Sequence, residues 1–234
     1  MPFAKILLLP ARDLLRGLDR CLDAGLPGLL AVASGLLAGW FLYVPLHELL
    51  HAGACLAAGG AVSRLEIDPL YGGSLLARVF PSIVPASAYS GRLSGFDTHG
   101  SDAIYLATDL GPFLLALFPG SWGLRRAVRA RRPLLFGLAL PAALAPFLSL
   151  TGDAYEIGAI LTTRLPPWSA PPVGALLRGD DLVKKVQELA ALPPPGSAPW
   201  GGVAGAALAG LLWAVLTYQL GDLVARALGQ EALD

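Results

Sequence analysis

Long runs of apolar residues recur along the chain and are separated by shorter polar segments. Residues 24–46 carry no charge, residues 103–124 carry one acid, Asp109, and residues 133–152 and 201–221 are again uncharged. Because about 20 mostly apolar residues cross the hydrocarbon core of a bilayer, each run predicts a transmembrane helix. The pattern therefore predicts an all-α membrane protein with about four transmembrane helices.

The N-terminal residues 1–23 predict an amphipathic helix. Leu14, Leu15, Leu18 and Leu22 fall on one helical face, and charged residues occupy much of the remaining surface. This pattern predicts an N-terminal interfacial helix that lies on the membrane, although a helix packed on the transmembrane bundle has the same pattern.

The loop between the first two predicted spans, residues 59–102, contains two β-prone runs. Residues 61–67 and 74–80 flank a turn at 69–73 and predict a small surface hairpin. Residues 81–102 are rich in Ser, Gly and Pro and predict irregular loop.

A second long loop, residues 163–200, has prolines at both ends and one short amphipathic helix, DDLVKKVQEL, between them. The predicted organisation is therefore an interfacial helix at 1–23, a three-span core at 24–162, this proline-rich loop, and a last transmembrane helix at 201–226.

Composition supports membrane insertion and limits the classes of partner that the protein is expected to bind. Hydrophobic residues make up 55% of the chain and charged residues 15%, whereas soluble domains have about 45–50% and about 25%. The formal net charge of zero gives no indication of nucleic-acid binding. The predicted partner is the lipid bilayer. Because the abundance of Ala, Leu, Gly, Pro and Arg is typical of a GC-rich bacterial genome, we expect a bacterial cytoplasmic membrane.

One short motif indicates chemistry. His47-Glu48-Leu49-Leu50-His51 has the form HExxH and ends the first apolar run. On a helix, residues i and i+4 share a face, so both imidazoles can bind one ion while Glu48 acts on a nearby water. Zinc accepts such nitrogen ligands. Because ionisable residues are costly in lipid unless they pair or bind a ligand, the motif predicts a zinc site; the alternative is a helix end that is polar because it reaches the interface.

A catalytic zinc site needs a third protein ligand. Asp153 ends the third apolar run, at the same depth as the HELLH motif if the first and third spans run in the same direction. Asp109 and Glu156 lie near that level, as hydrogen-bonding partners of the ligands or as alternative ligands, and His99 in the Ser/Gly-rich loop is the remaining alternative. We predict Asp153 as the third ligand.

Taken in order, these features resemble the site-2 protease family of intramembrane zinc metalloproteases. A transmembrane HELLHA is followed by GGAV, by a β-prone segment ending in PLYGG, by a second span with Gly111-Pro112, and by a third span ending in Asp. The resemblance covers most of the predicted core. Two departures mark a divergent, minimal member: Phe113 to Leu115 stand where the family has an Asn after Gly-Pro, and Gly152-Asp153 replaces Asp-Gly. No loop is long enough for a PDZ domain.

The resemblance implies a zinc metalloendopeptidase that hydrolyses a peptide bond in or near the transmembrane segment of a membrane-protein substrate. His47, His51 and Asp153 would then hold zinc, and Glu48 would be the general base. Two alternatives are a membrane metal transporter or sensor that uses the same cluster, and a catalytically inactive scaffold. The sequence leaves the substrate and the oligomeric state open.

Two arguments about sidedness conflict. Lys and Arg are concentrated near the N-terminus and in the short loop 120–132, which predicts cytoplasmic termini and an HELLH motif at the outer face. The family resemblance implies a metal site toward the cytosol.

Overall fold

The computed structural model describes residues 7–179, 181–192 and 199–230. The helices are α1 (Leu9–Leu22), α2 (Gly25–Ala57), α3 (Gly73–Leu76), α4 (Asp102–Leu110), α5 (Ser121–Arg129), α6 (Pro133–Ala143), α7 (Ala145–Leu148), α8 (Asp153–Thr162), α9 (Pro171–Leu177), α10 (Leu182–Ala190) and α11 (Trp200–Ala227). The strands are β1 (Ala61–Ile67), β2 (Ile83–Val84) and β3 (Gly91–Asp97). The chain divides into two compact units, Met1–Ala145 with Thr217–Asp234, and Pro146–Leu216.

Three helical stretches in the described residues are long and apolar enough to cross a membrane: Gly25–Ala57, Asp102–Arg129 and Trp200–Ala227. They are compatible with a multi-pass membrane protein. The third predicted span, 133–152, is not one long helix, because α6 ends at Ala143 and α7 is a single turn. Pro146 lies at this break, and a proline lacks the N–H that would continue the helical hydrogen bonds.

Helices α2 and α6 of the first unit run parallel and in close contact because glycines line their interface. A Cβ atom at Gly35 or Gly39 would collide with the backbone of α6, and one at Gly137 would collide with the backbone of α2. Small residues of this kind let helix backbones approach closely in lipid. The N-terminal half of the helix that carries HELLH is therefore packed against a second apolar helix.

Helix α1 packs on the first unit through its small and acidic side. Asp13, Gly17 and Cys21 are buried, and Gly17 lies against the ring of Phe136. Leu15, on the predicted apolar face, is 65% exposed. The described part of the predicted helix is thus helical and packed on the bundle, and an interfacial position for its exposed leucines stays a prediction. Residues 1–6 of that prediction lie outside the described residues.

A buried ion network joins α1, α5 and α11. Arg125 Nη2 lies 3.5 Å from Asp13 Oδ2 and also pairs with Asp222. The Tyr218 hydroxyl donates to Asp13 at 3.2 Å, and Arg226 pairs with Asp222 at 2.9 Å. Because buried charges are stable only when paired and hydrogen-bonded, this network indicates a specific docking of the three helices.

The first unit also carries a small sheet with strand order β2-β1-β3. Strand β1 pairs antiparallel with β3 and parallel with β2. The predicted hairpin between 61–67 and 74–80 is therefore wrong in its second strand, and the real partner, β3, lies in the stretch 81–102 that was predicted to be irregular. This sheet is built largely from contacts between residues distant in sequence.

The physical reason lies in the turn after β1. The Asp68 side chain accepts a hydrogen bond from Leu70 N at 2.8 Å, and Gly72 adopts a left-handed conformation with φ 84°. Gly73 then packs on the Ile67 carbonyl. These features start the helical turn α3 instead of returning the chain as a strand.

Side chains also join β1 to β3. Ser94 Oγ donates to Glu66 Oε1 at 2.9 Å, and Arg64 Nε donates to the same oxygen at 2.8 Å. The Ser94 hydrogen bond first, and the Arg64 guanidinium second, hold the pKa of the Glu66 carboxyl below its usual value. Glu66 is therefore ionised at neutral pH.

In the second unit, α8 packs on α11 through glycines. Gly210 lies against the Ala154 carbonyl, and Gly158 lies against the Ala206 carbonyl. The predicted short amphipathic helix is present as α10, and the Asp181 side chain caps it by accepting from Lys184 N at 2.9 Å. Residues 180 and 193–198 of the predicted loop lie outside the described residues.

Candidate metal centre

The two histidines of the HELLH motif present their Nε2 atoms to one point. His47 and His51 lie one turn apart on α2, and their Nε2 atoms are 3.1 Å apart. Two nitrogens bound to one tetrahedral zinc at about 2.0–2.1 Å would be about 3.3–3.4 Å apart. The spacing of the imidazoles therefore matches a shared metal ion closely.

Hydrogen bonds at the far side of each ring orient the pair. His51 Nδ1 lies 2.8 Å from the Thr108 carbonyl oxygen, and His47 Nδ1 lies 2.9 Å from the Tyr43 hydroxyl. A carbonyl oxygen only accepts, so His51 Nδ1 carries the hydrogen and Nε2 keeps a lone pair for a metal. Such partners of the ligands fix ring orientation in metal sites.

Close helix packing brings the Thr108 carbonyl to His51. Thr108 lies in the last turns of α4, and Gly111 follows at the point where this segment meets α2. A Cβ at Gly111 would collide with the Leu50 carbonyl and would lie 2.8 Å from Ala54 Cβ. Gly111 of the Gly-Pro pair thus permits the contact. Sequence reasoning identified neither Thr108 nor Tyr43, although Tyr43 lies one turn before His47.

Asp153, the predicted third ligand, is the first residue of α8 in the second unit, where a carboxylate is favoured by the positive end of the helix dipole. The His47 and His51 pair of the first unit can supply two nitrogen ligands to a metal ion. The assignment of Asp153 as the third ligand stays a prediction.

Two of the other candidate ligands, Asp109 and His99, lie in the first unit. Asp109 is 3% exposed and follows Thr108 in α4. His99 is exposed and pairs with Asp97 at 3.1 Å. Among the described residues of the first unit, neither Asp109 nor His99 joins His47 and His51 in a set of three ligands. Glu156 lies in the first turn of α8, in the second unit.

Glu48 is held beside the histidines by the small sheet. Its side chain is buried, with 8% of the residue exposed. Gly91, the first residue of β3, lies directly against it, because a Cβ at position 91 would collide with Glu48 Cγ and would lie 3.0 Å from Oε1. The carboxylate is thus confined between α2 and the start of β3.

Comparisons with protein-family models, with curated proteins and with solved structures find no match for this chain.

Proposed function

We propose that the protein is an intramembrane zinc metalloprotease that hydrolyses a peptide bond in or near the transmembrane segment of a membrane-protein substrate. The observation that carries the proposal is the pair of Nε2 atoms 3.1 Å apart with the buried Glu48 between their positions in sequence. Two imidazoles and a carboxylate are the ligand types of catalytic zinc sites, which keep one further position open.

In this proposal each residue has a separate role. His47, His51 and Asp153 would hold zinc, and the bound ion would supply Lewis acidity and a lowered pKa of water. Glu48 accepts a proton from the attacking water at a carboxylate oxygen and then donates it to the leaving amide nitrogen. The Tyr43 hydroxyl and the Thr108 carbonyl keep the two imidazoles in position.

The small sheet suggests how the substrate is presented. A peptide bond inside a helix is shielded by the helical hydrogen bonds, so cleavage requires local extension. Strand β3 lies at an edge of the sheet and begins at Gly91, against Glu48. An extended substrate that adds to this edge would place its backbone next to the carboxylate. In our proposal, the β3 edge is therefore the substrate-binding edge.

The decisive experiment compares Glu48→Gln with the wild-type protein. We expect Glu48→Gln to keep one zinc per chain and to lose proteolysis by about 10²-fold or more, because the amide cannot take the proton. Membrane proteomes of cells with the wild-type protein and with Glu48→Gln would identify the substrate as the species that accumulates. Unchanged cleavage by Glu48→Gln would refute the protease mechanism. Metal-dependent ion transport by reconstituted Glu48→Gln protein, without cleavage by either form, would support a transporter.

A further inference from the structure

The first unit contains a cavity of about 840 Å³ between α2, α5 and α6. Most of its lining is apolar, and Leu42 and Leu46 of α2 and Leu135 and Leu138 of α6 contribute to it. Several of these leucines are also open to the surroundings: Leu42 is 58% exposed and Leu46 is 47% exposed. The cavity is thus an apolar groove that opens on the side of the bundle.

Arginines are concentrated at one end of this groove. Arg126, Arg129 and Arg132 line the cavity and are exposed. The Arg126 guanidinium lies 5.5 Å from the centre of the Trp122 ring, which also lines the groove. Within the described residues, none of these three arginines forms an ion pair with a carboxylate. Their guanidinium groups match a phosphate, which they can bind with two parallel hydrogen bonds each.

The helix packing gives the length of the groove. Leu134 contacts Gly35, and α2 and α6 run parallel. Arg132, two residues before Leu134, therefore lies at the level of residue 33 of α2. Leu46 is about 13 residues farther along α2, which is a distance of about 20 Å. One leaflet contributes about half of the ~30 Å hydrocarbon core, or about 15 Å. The groove therefore has a length that suits the acyl chains of one leaflet with a headgroup at the arginines.

The cavity volume of about 840 Å³ lies within the range of about 300–1,000 Å³ that is usual for sites of small ligands.

We propose that this groove is a binding site for one anionic glycerophospholipid. The phosphate binds Arg126, Arg129 and Arg132, and the acyl chains lie along the leucines of α2 and α6 toward Tyr43 and Leu46. Basic pockets at the ends of transmembrane helices bind anionic lipid headgroups by the same electrostatics. The far end of the groove lies one turn before His47, so a bound lipid would occupy the membrane side of the candidate metal centre.

The first test needs no variant. Purified full-length protein in detergent is exchanged against dioleoyl phosphatidylglycerol or dioleoyl phosphatidylcholine, and bound lipid is counted by native mass spectrometry. We expect one tightly bound phosphatidylglycerol and a preference of at least about tenfold over phosphatidylcholine. Equal retention of the two lipids would overturn the proposal, because the headgroup would then contribute nothing.

Two matched variants locate the site. Arg126→Gln/Arg129→Gln/Arg132→Gln should lose the preference for phosphatidylglycerol. The control Arg64→Gln/Arg78→Gln/Arg92→Gln removes the same charge from the sheet-containing loop and should keep the preference for phosphatidylglycerol. Loss in both variants, or in neither, would contradict a headgroup site at α5 and α6.

A third variant and a cross-link test whether the acyl chains of the lipid occupy the groove. Gly123 lines the groove, and a Cβ there would make only an ordinary contact with Ala139, so Gly123→Phe should fill space and lower lipid occupancy. A photoreactive benzophenone side chain at Ala139 should cross-link to lipid. Retention of lipid by a folded Gly123→Phe protein would show that the lipid binds outside this groove, and cross-linking to a polypeptide in place of lipid would show a different occupant.

Discussion

Gly91 lies directly against the side chain of Glu48, and this contact leaves no room for a methyl group. The two residues are distant in sequence, and the pairing of β3 with β1 brings them together. Because the Glu48 carboxylate must reach a water near the histidines, the strand that confines it controls its position.

We therefore expect Gly91→Ala to displace Glu48 and to lower proteolysis by about 10²-fold while zinc stays bound, since a small misplacement of a catalytic group has this effect. The matched control is Gly53→Ala on the HELLH helix, where a Cβ would meet nothing within 4 Å. Rates on one substrate and zinc content by atomic emission check the pair. Wild-type activity in Gly91→Ala would show that β3 does not position Glu48.

The assignment of the third ligand can be tested by zinc content. We expect Asp153→Ala to lose the ion, because two imidazoles alone hold zinc weakly. Asp109→Ala removes an equally small acid from α4 and should keep about one zinc per chain. The reverse pattern would make Asp109 the ligand, and retention in both variants would point to Glu156 or His99.

The hydrogen bond between Tyr43 and His47 makes a separate prediction. Tyr43→Phe removes only the hydroxyl 2.9 Å from His47 Nδ1 and should weaken zinc binding by about 10–100-fold. Tyr71→Phe is the control, because its hydroxyl accepts from Trp40 Nε1 at 3.3 Å and contacts neither histidine. Competition with a zinc chelator measures both constants. Equal zinc affinity in the two variants would remove Tyr43 from the metal centre.

Stability should depend on the buried ion network. Arg125→Leu leaves Asp13 and Asp222 without their shared arginine and should cost about 3–5 kcal/mol of unfolding free energy. Arg78→Leu, at an exposed position, should change it by less than about 0.5 kcal/mol. Unfolding by denaturant in detergent micelles compares the two variants. A loss below about 1 kcal/mol in Arg125→Leu would mean that the three helices dock without the network.

The sidedness of the site can be decided by thiol labelling. In a background without Cys21 and Cys55, we expect an impermeant reagent to label Ser94→Cys in intact cells. It should label Ala130→Cys only after permeabilisation, because arginine-rich short loops stay in the cytoplasm. Both positions are exposed. The reverse labelling would support the orientation that the family resemblance implies.

The lengths of the apolar runs predicted where the helices lie, but they did not predict whether each helix is unbroken. The first and last predicted spans are the long helices α2 and α11, and the second is the helical stretch Asp102–Arg129. The run 133–152 has the same composition, but it breaks after Ala143, near Pro146. A hydropathy pattern reports how much of a segment is apolar, whereas the break depends on backbone hydrogen bonds that a proline removes.

The sheet was the weakest part of the sequence prediction. Residues 61–67 form a strand, but the partner lies at 91–97 and not at 74–80. Local patterns identify a strand by its composition and its turns, whereas pairing depends on which distant segment packs against it. The Asp68 turn and Gly72 redirect the chain, and their effect on pairing is visible only in the folded structure.

For the metal centre, the sequence by itself determined the HELLH spacing and a short set of acids, because the period of a helix places residues i and i+4 on one face. Only the tertiary structure decided which groups surround the motif, since the Thr108 carbonyl reaches His51, and Gly91 reaches Glu48, through packing and not through sequence spacing. These contacts join residues far apart in the chain, and glycines at the points of closest approach make them sterically possible.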